Sequence, residues 1–461
     1  MKYTKELLLL VLSLLLPSSD AQVPCSEQGE ADCALDGRFC VATTAATGGQ
    51  EDVCTVCLDG FVELQERETC KEIAALDFQE FRETYAPVYA DNGRGSLVER
   101  LVRLKVLAAI ISRWNARFPP PLFRLELNRY SADLDFDRKQ LLGYRHVNDT
   151  NAVFPRFNPE NPDDRRHLAR SLEASTLPAR VDWVEQNAVT FVKDQGRCGC
   201  CWAVSLAGTI EGSAALTPGN GDFLQSVSFQ QLISCDSLNY GCNGGNLVTG
   251  MLYSTDNSFG GLASLNDYPF SDSGGDTAET CATSDRELLV NPDDPRLVLT
   301  FDDQFSFEER LKLMKTAVAR QPVAITLKSG CDRFSSYKDG IINDDGDCAC
   351  QLVSCIDHAV LLVGYDDTVS NPFWKLKNSW GDSWGEGGYF RISQQSNDER
   401  WGLFGMLGEG VIALQAFNAT GAEPDKQDDD LENWAIVLIF IAVVVCLFCC
   451  VGGLFKATRG K

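Results

Sequence analysis

One cysteine stands where a side chain becomes reactive. Cys201 opens Cys-Trp-Ala-Val-Ser-Leu-Ala-Gly-Thr-Ile210, a small, apolar, proline-free run that reads as a buried helix. A sulfur at that position lies near the positive end of the helix dipole, which favours thiolate and makes it a nucleophile. Such a nucleophile needs an imidazole to take and return protons. The chain has three histidines, His146, His167 and His358. The first two sit in a charged, proline-bearing stretch ahead of the cysteine. His358 lies in Cys355-Ile-Asp-His-Ala-Val-Leu-Leu-Val-Gly-Tyr365, an apolar, β-branched run that reads as a strand. It is the candidate base.

By itself, a cysteine beside a tryptophan is usually core, and Asn-Ser-Trp is most often a turn. Here the motifs recur in one order. Gln195 precedes Cys198-Gly-Cys-Cys-Trp202, His358 follows far downstream, and Lys377-Asn-Ser-Trp-Gly-Asp-Ser-Trp-Gly-Glu-Gly-Gly-Tyr-Phe-Arg391 comes last. On these motifs the segment from about 177 to 415 resembles a papain-like cysteine protease, whose own motif is Cys-Gly-Ser-Cys-Trp. The histidine lies slightly beyond the roughly 130–150 residues usual for that family, so an insertion between the two halves is expected.

The resemblance implies an α+β, papain-like two-lobe fold, with a helical left lobe headed by Cys201 and a β-barrel-like right lobe. That lobe would carry Phe301 onward, Val323–Leu327, Val360–Val363 and Phe373–Leu376. It implies catalytic roles for Cys201 as thiolate, His358 as imidazolium, Asn378 as the group orienting His358, and Gln195 as oxyanion donor beside the Cys201 N–H. Trp380 would shield the His358–Asn378 bond, and Asp357 would tune His358. Gly199, Gly244, Gly245, Asn246, Leu247, Ala359 and Trp380 become candidate substrate-binding residues, with Met406 a further candidate for the side-chain pocket. Asn246 stands where an aromatic or large residue is common. No histidine but His358 follows residue 175. A histidine-bearing lid is therefore missing, which favours endopeptidase activity over trimming of chain ends.

The catalytic segment holds ten cysteines. The family pattern pairs Cys198 with Cys242 and Cys235 with Cys281, and leaves Cys201 as thiol. Cys331, Cys348, Cys350 and Cys355 are close enough for two more bridges, their pairing open, which leaves Cys200 outside any bridge. The family's third bridge ends near Trp401-Gly402 in this chain and must be rearranged.

The block from Leu76 to about Ser175 reads as helical. Leu97, Leu101, Leu104, Ala108 and Ile111 form one stripe, and Phe78, Phe81, Tyr85 and Tyr89 another. Its position makes it resemble the family's inhibitory propeptide. Glu99 and Arg103 stand at the proper interval, and Asn128-Arg-Tyr-Ser-Ala-Asp133 matches Asn-x-Phe-x-x-Asp; Ile110, Trp114 and Phe118 depart from the pattern. Such a segment runs backwards through the cleft, and cleavage is expected before Leu177-Pro-Ala-Arg-Val-Asp-Trp183.

The ends set the compartment. Lys2, Lys5, the leucine-rich Leu7–Leu16 and Ser19-Asp-Ala21 read as a secretory signal peptide. Six cysteines from Cys25 to Cys70 imply a disulfide-stapled module resembling an EGF-like unit; zinc is the competing reading, without a histidine to serve it. Trp434–Phe455 carries no charge, follows Asp428–Asp430 and precedes Lys456, Arg459 and Lys461, so it reads as a membrane helix with its positive flank cytoplasmic. A lipid-anchor signal would end in the apolar tail. Asn148 and Asn418 fit glycosylation acceptors.

The organisation expected is 1–21 signal peptide, 22–72 cysteine module, 75–175 propeptide, 176–415 peptidase, 416–433 acidic linker, 434–455 membrane helix and 456–461 tail. That places the chain in the secretory pathway, with its catalytic domain in a lysosome- or vacuole-like lumen or at the cell surface. A net charge of −24 argues against nucleic acid as a partner. The partners are then polypeptide substrates, the chain's own propeptide and a membrane. No cofactor or metal is expected. Two rival functions remain: a catalytically silent, membrane-displayed binding protein, and a thiol oxidoreductase using Cys198 and Cys201.

Overall fold

The computed structural model describes residues 38–44, 50–57, 61–63, 70–85, 95–117, 120–146, 154–158, 161, 177–220, 223–255, 261–271, 280–282, 287–344, 346–350, 352–396 and 400–419. The signal-peptide and membrane-helix expectations, Asn148, and Cys25 and Cys33 lie outside these residues. Among the described residues no helix is long and apolar enough to cross a membrane.

Cys201–Leu216 is a helix, buried at every position from Cys201 to Ala214. A helix apolar all round belongs in a core, and this one has sheet on one side and helices on the other. Its Ser205 hydroxyl donates to the Val360 carbonyl (2.6 Å), and Thr209 donates to the Pro322 carbonyl (2.7 Å). At Gly208 a Cβ would stand 2.8 Å from Leu361, so only glycine lets helix and strand approach this closely. The opposite face packs on Phe229–Cys235 and Leu247–Thr255, which complete the helical lobe.

The sheet has ten strands. Its path runs Phe123–Leu125, Tyr337–Ile342, Tyr389–Ser393, Phe373–Lys377, His358–Asp366, Val323–Leu327, Gly410–Asn418, Leu288–Leu299 and Leu262–Ala263, with Arg180–Asp182 pairing against His358–Asp366. This corrects the barrel-like expectation: the path is open, because its end strands pair on one side only. Phe301 is not in a strand; it follows Leu288–Leu299 and turns inward, 1 % exposed.

The segment ahead of the peptidase unit is helical over Phe78–Tyr85 and Leu97–Asn115, along the two stripes, and Tyr89 lies outside the described residues. Ser96 and Glu99 form a capping box at the head of helix Leu97–Asn115, which buries Leu104, Leu107, Ala108, Ile111 and Trp114. Leu97 is exposed in the first turn. Trp114, a departure from the family pattern, stacks on Phe123 at 4.8 Å, and its indole N–H donates to the Phe123 carbonyl. Phe123–Leu125 then joins the catalytic sheet antiparallel to Tyr337–Ile342. The four short strands of the cysteine module pair two by two, Arg38–Thr44 with Gln50–Cys57 and Phe61–Glu63 with Cys70–Glu72.

Charge fastens this segment to the peptidase unit. Arg197 holds Asp133 through two bonds of 2.8 and 2.9 Å, with both side chains buried. Arg103 and Arg138 both bind Asp332, Arg124 binds Asp339, and Arg129 binds Asp194 at 2.7 Å. Burial pushes the Asp332 carboxyl up, but its two guanidinium partners outweigh that and hold it below the ordinary value of 3.8. A carboxylate with a depressed pKa stabilises above its unfolded value and loses that contribution as pH falls through the folded one. Two predictions follow from this interface. Asp133→Ala strands the buried Arg197 charge and should cost about 3–5 kcal/mol, read as a lower urea midpoint of the full chain; an unchanged midpoint would show that the pair fastens nothing. Asp332→Asn should move acid-induced release of the segment to higher pH, followed by protease sensitivity of residues 95–146 between pH 3 and 6.

Candidate active site

Four side chains from three distant stretches converge behind the head of the Cys201 helix. His358 is the first residue of its strand, and Asn378 follows the last residue of Phe373–Lys377. His358 Nε2 and Asn378 Oδ1 are 2.9 Å apart. The Trp380 ring lies over the imidazole, centroids 5.1 Å apart, and all three residues are buried. Asn378 is itself held by the Gly388 carbonyl, which accepts its N–H, and by the Ser379 N–H, donated to Oδ1. The remaining imidazole nitrogen, Nδ1, has no hydrogen-bond partner.

Gln195 is aimed by its neighbours. Ser379 Oγ donates to Oε1 (2.6 Å), which forces the amide nitrogen the other way, to the Cys198 carbonyl (2.7 Å) and the Leu141 carbonyl (3.0 Å). Leu141 belongs to the N-terminal segment, so one of its carbonyls occupies an amide donor beside the thiol.

Residues 141–146 fill the cleft. Gly143 passes so close to Gly199 that a Cβ on it would sit 1.8 Å from the Gly199 carbonyl oxygen, which only glycine avoids. The Gly143 carbonyl accepts from the Gly245 N–H (2.7 Å), the Arg145 N–H donates to the Gly245 carbonyl (2.8 Å), and the Tyr144–Gly245 bridge is parallel. Gly244 flanks this crossing, and Arg145 Nε donates to the Asn243 carbonyl (2.7 Å).

Covering changes the electrostatics. The sequence favours a thiolate at Cys201. Burial instead pushes the thiol up to about 12, although the backbone N–H groups of Ala359, Gly143 and Trp202 oppose the shift. His358 is pushed down to about 4 by burial, opposed by its bond to Asn378 and by Asp357. Under the segment both groups are therefore neutral near pH 7. Asp357 itself is engaged by Lys328 and by the Ser329 N–H (2.7 Å).

The cysteines pair Cys198–Cys242, Cys235–Cys281, Cys331–Cys348 and Cys350–Cys355; Cys200 and Cys201 take no part in a disulfide. Ala359 abuts the thiol through its N–H. Leu247 and Met406 are both buried, Leu247 in the cluster that also holds Cys201 and Ala359 and Met406 in the cluster that also holds Trp380. Asn246 does face the cleft, its amide 3.5 Å from the Tyr144 hydroxyl. Asn418 ends the last long strand, half-buried.

One residue escaped the sequence reading. Glu409 is 1 % exposed, and its carboxyl meets the Tyr144 hydroxyl and the Asn246 amide. Its only signal was a lone charge between two glycines inside the apolar run Leu407–Leu414.

A model of the papain family of cysteine proteases matches residues 177–406. Cysteine proteinase EP-B 1 of Hordeum vulgare is 34 % identical over 69 % of this chain and 79 % of its own length. The chain belongs to the papain family of cysteine proteases. Cysteine proteinase B of Leishmania mexicana is also 34 % identical, and the chain spans 65 % of that protein's length. Among solved structures, the proform of the ragweed pollen cysteine protease Amb a 11 is 27 % identical at a TM-score of 0.57, covering 73 % of this chain and 92 % of that one. Digestive procathepsin L2 of Tenebrio molitor is 25 % identical at a TM-score of 0.59, covering 73 % and 98 %. The 73 % of this papain-family chain that those proforms cover exceeds the family unit at 177–406.

With the cleft covered, Cys201 should be almost entirely thiol at pH 7. Alkylation by iodoacetamide should be at least 100-fold slower in the intact chain than after residues 75–175 are removed. Equal rates would mean that the segment does not control the ionisation of the pair.

Proposed function

We propose that the chain is a cysteine endopeptidase made as a zymogen, whose residues 75–175 inhibit it by lying in its own cleft. The observation that carries this is the meeting of Cys201, His358, Asn378 and Gln195 beneath residues 141–146. With the segment gone, the Cys201–His358 pair regains water and the helix-dipole field, and thiolate–imidazolium becomes accessible. Cys201 attacks the scissile carbonyl; His358, oriented by Asn378 and roofed by Trp380, protonates the departing amine. Gln195 donates to the oxyanion from the position at which it now holds the Leu141 carbonyl. Gly245 pairs with an extended peptide through the same N–H and C=O that now hold Gly143 and Arg145.

The parallel bridge to Gly245 explains why the segment is not cut. It presents its carbonyls in the direction opposite to that of a productive strand, so the attack geometry is not met. The remaining parts of the reading rest on sequence: a signal peptide at 1–21, an EGF-like module at 22–72 that leaves with the propeptide, and an acidic linker at 416–433. A membrane helix at 434–455 and a cytoplasmic tail at 456–461 would then tether the mature peptidase to a lumenal or outer face.

The test is labelling of the acid-activated protein with a thiol-directed epoxide, followed by peptide mapping. One label per chain on Cys201, lost in His358→Ala, is expected. Gln195→Ala should keep the label and lower kcat about 10²–10³-fold. Absence of label after confirmed loss of residues 75–175 would leave a silent binding protein as the better reading.

A further inference from the structure

Tyr144 of this segment seats its side chain in a walled pocket of the peptidase unit. Its ring packs with Phe301, Cys350, Ile356 and Trp401 in a separate small cluster, and Cys355, bonded to Cys350, closes against them. The wall joins the Cys350–Cys355 bridge to Trp401. At the end of the ring, the hydroxyl meets polar groups from two different elements. Asn246, just before the Leu247–Thr255 helix, points its amide nitrogen at the phenol oxygen. Glu409, just before the Gly410–Asn418 strand, lies opposite; its charge and hydrogen bonding, added to burial, raise the phenol pKa well above 10. His146 Nδ1, at 3.3 Å, also reaches the hydroxyl but departs with the segment.

We infer that this pocket is a tyrosine-selective subsite, in which Glu409 and Asn246 recognise the hydroxyl of a substrate tyrosine placed two residues before the scissile bond. The inference rests on the proteolytic reading above. Gly143 lies over the thiol end of the cleft and Tyr144 is the next residue, so its pocket serves the residue one removed from the carbonyl attacked.

The chemistry distinguishes the competitors. A phenol both donates and accepts, which matches a carboxyl on one side and an amide N–H on the other. Phenylalanine fills the apolar wall but leaves the Glu409–Asn246 pair buried without the hydroxyl that completes it. Arginine satisfies Glu409 and has no acceptor for Asn246. Glu409 Oε2 has no partner even with Tyr144 seated, so the carboxyl faces the pocket with capacity to spare. A buried polar group that lacks its partner is costly, and sites built to bond a hydroxyl reject the analogue without it more strongly than apolar sites reject a size change.

The experiment compares kcat/KM of the activated protein, titrated with the epoxide, on blocked dipeptide fluorogenic amides. These differ only in the penultimate residue: tyrosine, O-methyltyrosine, phenylalanine, leucine or arginine. Tyrosine should exceed phenylalanine at least tenfold, and O-methyltyrosine should fall to the phenylalanine rate or below. Glu409→Leu should bring tyrosine and phenylalanine within twofold. A smaller wild-type ratio, or arginine above tyrosine, overturns the inference. The wild-type series decides even if Glu409→Leu fails to fold. Titratable sites with no tyrosine preference sink the subsite alone, whereas no titratable site and no turnover sink the proteolytic reading beneath it.

Discussion

Everything at the site depends on a buried helix packed against a strand. The Cys201–Leu216 helix carries the sulfur and the His358–Asp366 strand the imidazole, and they touch through Ser205 on Val360 and Gly208 on Leu361. Neither group has a flexible tether, since each is the first residue of its element. Their relative position is therefore a packing quantity, set by a contact with no free volume.

The same helix reaches the other two site residues through charge. Glu211 binds Lys193 at 2.8 and 3.0 Å and Thr190 at 2.6 Å, and Lys377 donates to the Thr190 carbonyl at 2.8 Å. Lys193 lies two residues before Gln195, and Lys377 immediately before Asn378. Burial pushes Lys377 down to about 7, with Lys193 adding to the shift and Glu211 opposing it. A buried carboxylate thus ties the Gln195 loop and the strand before Asn378 to the Cys201 helix. It fixes geometry more than it adds stability, because desolvation offsets much of the Coulomb gain.

The inhibitory segment uses a different logic. Its grip is spread over half-buried arginines on Asp332, Asp339 and Asp194 and the buried Asp133–Arg197 pair, while its reach into the cleft is a short backbone run with Gly143 at the crossing. The contact through Asp332 can be weakened by acid, as pH falls through that carboxyl's depressed value. The cleft contact cannot, being made of backbone and one buried tyrosine. Burial also keeps the catalytic pair uncharged, so steric cover and electrostatic silencing have the same origin.

Sequence alone determined what depends on residue type and order. The Cys201 helix start, the His358 strand, the Asn378 turn, the helical segment upstream and the first two cysteine pairs were legible because each is carried by local pattern or by motif. Tertiary structure decided the rest. The open sheet is a matter of which edges pair, and strand periodicity is blind to that. The burial of Leu247 and Met406 was likewise a tertiary outcome, because an apolar side chain carries no mark of which face it will meet. Glu409 was hidden for the opposite reason: a charge between two glycines reads as surface until the fold buries it against Tyr144 and Asn246. The thiol pKa changed direction for the same cause, since a helix dipole is a local property and desolvation belongs to the whole structure above it.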